Sequence, residues 1–239
     1  MSKGKLTSIN TIIFDMDGTV LNTLEDLTVS VNYVLSKFGM PEHSEEEYRK
    51  FFGNGIKYAL KCAVPEGTKE EVIEKMLPIF REHYNEHCLD RTKPYEGITD
   101  LMSRLKAKGY KMAIVSNKID SAVKELNERF FSEYVDVAIG EKPGIKRKPA
   151  PDTVLAALDE LCSEKEDAVY IGDSEVDYQT ALNAGLPCIS VLWGFRDKDF
   201  LISKGAVVFA ETPEEVYNIL ESVTYVNSPD FCSKCEERF

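Results

Sequence analysis

Short runs of apolar residues recur along the chain and predict β-strands. Most of these runs are apolar at nearly every position, which is typical of strands covered on both faces. Helical periodicity appears between the later runs, and Gly109 and Gly185 stand where two of these helices should end. Alternating strands and helices predict an α/β fold with a parallel sheet and helices on both sides. The predicted strands are TIIFDM, KMAIVSN, VDVAIG, AVYIGD, PCISVLW and AVVFA, and the predicted helices are ITDLMSRLKAKG, SAVKELNERF, PDTVLAALDELC and DYQTALNAG.

The interval between Leu24 and Asp90 breaks this alternation, because apolar residues recur there only at helical spacing. Pro78 is expected to kink or end the last helix of this interval. The pattern therefore predicts a helical domain inserted between the first and second strands. We expect a discontinuous core at residues 1–20 and 92–226, an α-helical cap domain at 21–91, and a polar tail at 227–239.

The composition is that of an ordinary globular protein, since 43% of the 239 residues are hydrophobic and 29% are charged. The net charge of −12 argues against nucleic acid and membrane surfaces as partners. It also means that an anionic substrate would need a local positive field. The chain shows neither a signal-peptide pattern nor an apolar run of roughly 20 residues, so a cytoplasmic location with reduced cysteines is expected. Cys232 and Cys235 form a lone C-x-x-C pair, for which we expect no metal or redox role.

Polar groups follow several of the predicted strands. Asp15 and Asp17 come directly after the first strand, and a second acidic pair follows the fourth. In a doubly wound sheet the carboxyl ends of the strands open into one crevice where ligands bind, so residues distant in sequence can meet there. The candidate residues are Asp15, Asp17, Ser116, Asn117, Lys148, Asp173 and Asp177.

These residue types together suit the transfer of a phosphoryl group with the help of Mg²⁺. Three converging carboxylates would repel one another unless a hard cation lay among them, and a few carboxylates with a substrate phosphate form the usual Mg²⁺ site. Backbone N–H groups after a glycine, hydroxyl and amide donors, and a lysine can bind phosphate oxygens. The predicted phosphate-binding residues are Gly18, Ser116, Asn117 and Lys148.

The paired aspartates after the first strand indicate covalent catalysis. A carboxylate can attack phosphorus and form an aspartyl-phosphate. We predict that Asp15 is the nucleophile and that Asp17 protonates the leaving oxygen and then activates water. A D-x-D pattern alone is more often a turn or a solvated strand end, and the accompanying strand-end groups favour the catalytic interpretation.

Four motifs in the order DMDGT, VSN, KRKPAPD and GDSEVD resemble those of the haloacid dehalogenase (HAD) superfamily of phosphatases. The resemblance spans residues 12–177 and implies a Rossmann-like, doubly wound core, an α-helical cap and Mg²⁺ as the cofactor. It implies that Asp15, the main-chain carbonyl of Asp17, and Asp173 ligate the metal, with Asp177 supporting the metal or the lysine. Asp17 argues against dehalogenase chemistry, because dehalogenases of the superfamily lack this second aspartate.

Within the superfamily, DGTVLNTLEDL and FFGNGIKYALKCAVPE resemble the phosphoglycolate phosphatase group. Gly53, Asn54 and Gly55 lead into a predicted helix, whose free N–H groups could meet the carboxylate or other distal end of the substrate. Lys57 follows closely and could add positive charge. Among small phosphorylated metabolites, 2-phosphoglycolate is therefore the expected substrate.

Several alternatives remain open at this point. The GNG stretch could be only a tight turn, and Asp177 could only cap the following helix. The same superfamily contains β-phosphoglucomutase-like phosphomutases, pyrophosphatases, and sugar and nucleotide phosphatases. A non-catalytic binding protein on this fold is a further alternative, although such proteins usually lack a catalytic carboxylate and none is missing here. The sequence indicates no oligomeric state.

Overall fold

The computed structural model describes residues 9–225, and a parallel sheet of six strands lies at the centre of this part of the chain. The order of the strands in the sheet is β5-β4-β1-β6-β7-β8, while β2 and β3 form a separate antiparallel pair. The predicted tail with Cys232 and Cys235 lies outside the described residues. The strands are β1 (Thr11–Phe14), β2 (Leu21–Asn22), β3 (Lys93–Pro94), β4 (Lys111–Ile119), β5 (Val137–Glu141), β6 (Ala168–Gly172), β7 (Cys188–Val191) and β8 (Phe209–Ala210).

Ten α-helices accompany these strands between residues 9 and 225, and none of them is long and apolar enough to cross a membrane. Four lie between β2 and β3, and the rest alternate with the strands of the large sheet. They are α1 (Leu24–Lys37), α2 (Glu45–Phe51), α3 (Ile56–Ala63), α4 (Glu70–His87), α5 (Ile98–Ala107), α6 (Asp120–Phe130), α7 (Asp152–Glu160), α8 (Glu175–Ala184), α9 (Lys198–Ser203) and α10 (Pro213–Tyr225).

The large sheet carries a separate hydrophobic cluster on each face, which confirms the predicted α/β fold with its doubly wound parallel sheet. Ile12 and Phe14 of β1 pack into a cluster with side chains of α5, α6 and α10. Ile13 points the other way, into a cluster formed with α7 and α8. All six predicted strands are present. The last is shorter than predicted, because Val207 is 80% exposed and only Phe209–Ala210 pair with β7.

The four helices between β2 and β3 form a hydrophobic cluster of their own. Its fully buried members include Val31 and Leu35 of α1, Leu60 of α3 and Met76 of α4. The short strands β2 and β3 lie where the chain leaves and re-enters the core, and Leu21 pairs there with Pro94. We call these four helices the cap; that the cap is a separate domain with the predicted boundaries stays a prediction.

Of the two outcomes predicted for Pro78, a kink or an end of the helix, the structure excludes the end. Helix α4 runs through Pro78 from Glu70 to His87. A proline inside a helix removes one backbone hydrogen bond and disfavours continuation. Here Leu77, Phe80 and other side chains on both sides of the proline are buried in the cap cluster, and this packing offsets the loss.

Asp26 of α1 fastens the cap to the segment that returns to the core. Its buried carboxylate oxygen Oδ2 accepts hydrogen bonds from the Thr92 backbone N–H at 2.8 Å, the Thr92 hydroxyl at 2.8 Å and the Arg91 N–H at 3.1 Å. Hydrogen bonds to a buried charged acceptor are among the stronger ones, and their donors are costly to leave unpaired.

We expect Asp26→Ala to lower the free energy of unfolding by about 2–4 kcal/mol, because it leaves buried donors at the cap junction without an acceptor. Denaturant unfolding followed by circular dichroism measures this. Asp159→Ala is the matched control: this aspartate is exposed on α7, and its loss should change stability by no more than about 0.5 kcal/mol. Equal stability of the two variants would contradict this role of Asp26.

Candidate active site

A cavity of about 670 Å³ lies at the carboxyl ends of the strands, and six of the predicted core residues line it: Asp15, Asp17, Ser116, Asn117, Lys148 and Asp177. Asp15 follows β1, Asp173 follows β6, and Lys148 lies in the loop before α7. Cap residues close the cavity from above, among them Phe52 and Phe80. A cleft of this volume is in the range that binds small molecules.

Three carboxylates converge beside the cavity, and two of them, Asp15 and Asp177, line it. Asp15, Asp173 and Asp177 are all buried, and one oxygen of each lies within 4.8 Å of the others. Within residues 9–225, one cation is paired with this cluster: the buried Lys148 Nζ lies 2.5 Å from Asp15 Oδ1 and 2.7 Å from Asp177 Oδ1. When all three carboxylates are ionised, their negative charge exceeds the single positive charge of Lys148.

The pKa values in the cluster follow from burial and from this charge imbalance. Burial, reinforced by the charge of Asp177, raises the pKa of Asp15 well above its usual value and that of Asp173 to about 7. Burial also opposes ionisation of Asp177, but Lys148 holds the pKa of Asp177 below its usual value. Asp15 and Asp177 raise the pKa of Lys148 and so keep it protonated despite its burial. Asp15 and Asp173 thus lack a counter-charge that a divalent cation would supply.

The backbone of two glycines approaches the Asp173 carboxylate so closely that a side chain at either position would collide with it. Gly18 has a φ of +90°, and a Cβ atom there would come within 2.5 Å of Asp173 Oδ2. A Cβ on Gly194 would collide with the same carboxylate. The carboxylate is fixed by the Phe195 N–H, which donates to Oδ2 at 2.6 Å, and by the Thr19 hydroxyl at 3.2 Å from Oδ1. The buried carboxylates and this close backbone approach fit an oxygen-ligated Mg²⁺ ion.

Asp177 uses both of its oxygens within the protein. Its Oδ1 accepts hydrogen bonds from Lys148 and from the Tyr170 hydroxyl at 2.9 Å, and its Oδ2 accepts from the backbone N–H of Ser174 at 3.1 Å. Ser174 and Asp177 form the capping box of α8. Asp177 therefore both caps a helix and holds Lys148, so the two interpretations of this residue from the sequence coexist.

Ser116 and Asn117 are buried at the end of β4 and line the cavity. The Ser116 hydroxyl accepts a hydrogen bond from the Lys118 backbone N–H at 3.1 Å. The Asn117 side-chain amide donates to the Lys148 carbonyl at 3.1 Å, so Asn117 fixes the loop that carries the lysine. The structure thus brings both residues to the cavity, with Asn117 engaged in positioning Lys148.

Asp17 lies beside a lysine that the sequence analysis missed. Lys118 Nζ is 3.0 Å from Asp17 Oδ1 and donates a hydrogen bond to the Tyr84 hydroxyl of the cap at 2.8 Å. These neighbours raise the pKa of Lys118 although burial opposes its charge. Lys118 directly follows the VSN motif, and this adjacency was the available signal.

The predicted cap residues do not all reach the cavity. Gly53 and Gly55 line it, and Gly55 precedes the first residue of α3. Asn54 turns its side chain towards Glu175 of the core at 3.4 Å, while its carbonyl accepts a hydrogen bond from Arg147. Lys57 is not among the cavity-lining residues.

Lys57 instead forms ion pairs within the cap, with Glu70 at 2.7 Å and with Glu74. Its ammonium is therefore already neutralised on the outer side of α3. The expectation that Lys57 adds charge near the substrate finds no support in this placement, because its ammonium is paired with two glutamates of α4 and the residue does not line the cavity.

Arg196, a second residue that was not predicted from the sequence, joins the cap to the core. Arg196 is buried and pairs with Glu175 at 2.8 Å. Its guanidinium also donates to the Phe52 carbonyl at 2.8 Å and to the Arg49 carbonyl at the end of α2. Arg49 in turn donates to the Gly194 carbonyl at 2.6 Å. We call these contacts the α2 latch.

We expect Lys148→Met to lower the free energy of unfolding by about 3–5 kcal/mol when measured in EDTA, because it leaves buried carboxylates without their cation. Lys146→Met is the matched control, since Lys146 is exposed two residues away in the same loop. Denaturant titration of both variants gives the comparison. Wild-type stability of Lys148→Met would show that this lysine does not compensate the cluster.

Comparison with known proteins points to one family. Residues 12–191 match the family model described as haloacid dehalogenase-like hydrolase. A phosphoglycolate phosphatase of Aquifex aeolicus is 32% identical over 199 residues, which cover 81% of this chain and 92% of that protein. A proposed pyrophosphatase PpaX of Caldanaerobacter subterraneus subsp. tengcongensis is 31% identical over 215 residues, covering 89% of this chain and 95% of that protein.

Solved structures agree with this assignment. The crystal structure of a proposed phosphoglycolate phosphatase from Lactobacillus delbrueckii subsp. bulgaricus is 38% identical and superimposes with a TM-score of 0.85. The match covers 90% of this chain and 99% of that chain. The family model spans most of the chain and includes the strand ends that carry the carboxylate cluster. The chain therefore belongs to the haloacid dehalogenase-like hydrolase family.

Proposed function

We propose that this protein is a Mg²⁺-dependent phosphatase that hydrolyses a small phosphate monoester through an aspartyl-phosphate on Asp15. The main support is the buried cluster of Asp15, Asp173 and Asp177 around Lys148, beside the cavity. Family membership supports the hydrolase class. The retained Asp17 favours phosphate esters over haloacids, as the sequence analysis indicates.

In the proposed reaction, Asp15 attacks phosphorus while the bond to the leaving oxygen breaks. Lys148, in contact with Asp15, stabilises negative charge on the transferring group, and Ser116 and the backbone after Gly18 supply neutral donors. Asp17 gives its proton to the leaving oxygen. It then takes a proton from the water that attacks the aspartyl-phosphate and regenerates Asp15.

Mg²⁺ would be held by Asp15, Asp173 and the Asp17 carbonyl. An ion bound there would neutralise the carboxylates and would supply Lewis-acid polarisation of a phosphate oxygen. Asp177 supports this site indirectly, because its oxygens are occupied by Lys148, Tyr170 and Ser174. The donor set is all oxygen and suits a hard cation.

We propose 2-phosphoglycolate as the preferred substrate. The support is the name of the Aquifex aeolicus relative and the position of Gly53 and Gly55 on the cavity wall. Arg147 also lines the cavity and is held against the Asn54 carbonyl, where it adds positive charge for a substrate carboxylate. Lys57 is left out of this proposal because it is paired with glutamates.

A pyrophosphatase is the second candidate, because the Caldanaerobacter relative with that name matches 89% of the chain. Its chemistry would use the same cluster, and the two candidates differ only in what the cap side of the cavity binds. A small phosphorylated compound is the ligand in both cases. A cytoplasmic location remains an expectation from the sequence.

Asp15→Asn should lower phosphate release by about 10³-fold or more, because an amide cannot form the acyl-phosphate. The fold should persist, since the change removes a carboxylate that burial already disfavours. Asp159→Asn on the exposed end of α7 is the control and should keep full activity. Phosphate release and circular dichroism of both variants decide the matter. Substantial turnover by Asp15→Asn would exclude the covalent mechanism.

A substrate panel should show 2-phosphoglycolate hydrolysed faster than sugar phosphates, nucleotides and pyrophosphate, measured as kcat/KM by phosphate release. EDTA should abolish the activity and Mg²⁺ should restore it, because the carboxylate cluster lacks positive charge without the ion. A maximum with pyrophosphate would favour the second candidate. Full activity in EDTA would contradict the proposed cofactor.

A further inference from the structure

A row of three side chains runs from Asp17 into the cap. The Lys118 side chain is only 7% exposed, and its ammonium lies 3.0 Å from Asp17 Oδ1. The same ammonium donates a hydrogen bond to the Tyr84 hydroxyl at 2.8 Å and lies 4.4 Å from the centroid of the Tyr84 ring. Because Tyr84 belongs to α4, the row joins the core to the cap through the proposed proton shuttle.

Each member of this row is held in place by other contacts. Tyr84 is buried, and its ring stacks on Phe80 with centroids 5.3 Å apart and planes 10° apart. Among the described residues, Lys118 is the only basic side chain within ion-pair distance of Asp17. Strand β4 fixes the backbone of Lys118 next to Ser116 and Asn117. Asp17 thus contacts one lysine of the core, and that lysine contacts a tyrosine of the cap.

We infer that Lys118 is a positioning residue for Asp17 and that Tyr84 holds Lys118 in place when the cap covers the site. The inference rests on the proposed function, since it assumes that Asp17 transfers the proton. It adds that proton transfer is efficient only while a cap residue completes the surroundings of Asp17.

The chemistry explains why a lysine is useful at this place. As the bond between phosphorus and the leaving oxygen breaks, the electron pair stays on that oxygen. The oxygen takes the proton from the Asp17 carboxyl group, and Asp17 becomes a carboxylate. The Lys118 ammonium, 3.0 Å away, stabilises the charge that develops on Asp17 and fixes the direction of its oxygens.

The contact between Tyr84 and Lys118 is one of several polar contacts between the cap and the core. The α2 latch joins the two parts independently, through Arg196, Glu175 and the carbonyls of α2. Asp26 adds a third connection at the cap junction. Loss of the Tyr84 hydroxyl should therefore disturb Asp17 while the cap stays in place.

The test compares two esters of similar size, benzyl phosphate and 4-nitrophenyl phosphate. Benzyl alkoxide needs a proton to leave, whereas 4-nitrophenolate leaves without one. The variants are Tyr84→Phe and Lys118→Met, with Asp17→Asn as the reference for lost proton transfer. Tyr48→Phe is the matched control, because its buried hydroxyl in the cap donates to Asn32 at 2.7 Å and not to the site. The readout is kcat/KM, which includes release of the alcohol.

General acid catalysis contributes about 10²–10⁴-fold, so we expect Tyr84→Phe and Lys118→Met to lose about tenfold or more on benzyl phosphate. Both should lose less than about threefold on 4-nitrophenyl phosphate, which needs no proton. Tyr48→Phe should leave the ratio of the two rates unchanged. Equal losses on both esters in Tyr84→Phe and Lys118→Met would overturn the inference, because a merely structural role lowers both rates alike.

The reference variant separates this inference from the proposed function. If Asp17→Asn discriminates between the esters and the Lys118 and Tyr84 variants do not, the inference alone fails. If Asp17→Asn shows no discrimination, the assignment of Asp17 as the proton donor fails, and the inference falls with it.

Discussion

The buried contact of Lys148 with Asp15 and Asp177 is the interaction on which the rest of the site depends. Three ionised carboxylates are costly to bury together without positive charge. Lys148 supplies part of that charge, and its own place is secured by Asn117, which binds its carbonyl. Tyr170 and Ser174 bind Asp177 in turn. The remaining negative charge would be neutralised by a divalent cation. That cation together with Lys148 would supply the local positive field that an anionic phosphate needs in an acidic protein.

The cap completes this site in two ways. It lines the cavity with apolar side chains such as Phe52 and Phe80. It also reaches the core through polar contacts, at Arg196 and at Lys118. In both contacts a core cation meets an oxygen of the cap, so closing the cap satisfies charges that the core alone would leave partly unpaired.

The sequence predicted those features that depend on local pattern. The six strands were found because their buried residues are almost all apolar, and the strand-end groups converge because parallel strands share one carboxyl edge. Helix α4 does not end at Pro78, because packing in the cap cluster overrides a local helix breaker. Lys118 was missed, and Lys57 was given a place at the substrate, because the partner of a lysine depends on the tertiary packing of elements far apart in sequence. Spacing along the chain does not show whether a lysine faces Asp17, as Lys118 does, or glutamates of the cap.

In the proposed mechanism the phosphoryl group is transferred first to Asp15 and then to water. The stereochemical course at phosphorus tests this most directly, using a chiral thiophosphate ester that carries two oxygen isotopes and is hydrolysed in water of the third isotope, so that the released thiophosphate is chiral. Two successive in-line displacements, the first by Asp15 and the second by water, predict overall retention of configuration. Inversion would mean a single displacement by water and would contradict an aspartyl-phosphate on Asp15, whatever the preferred substrate.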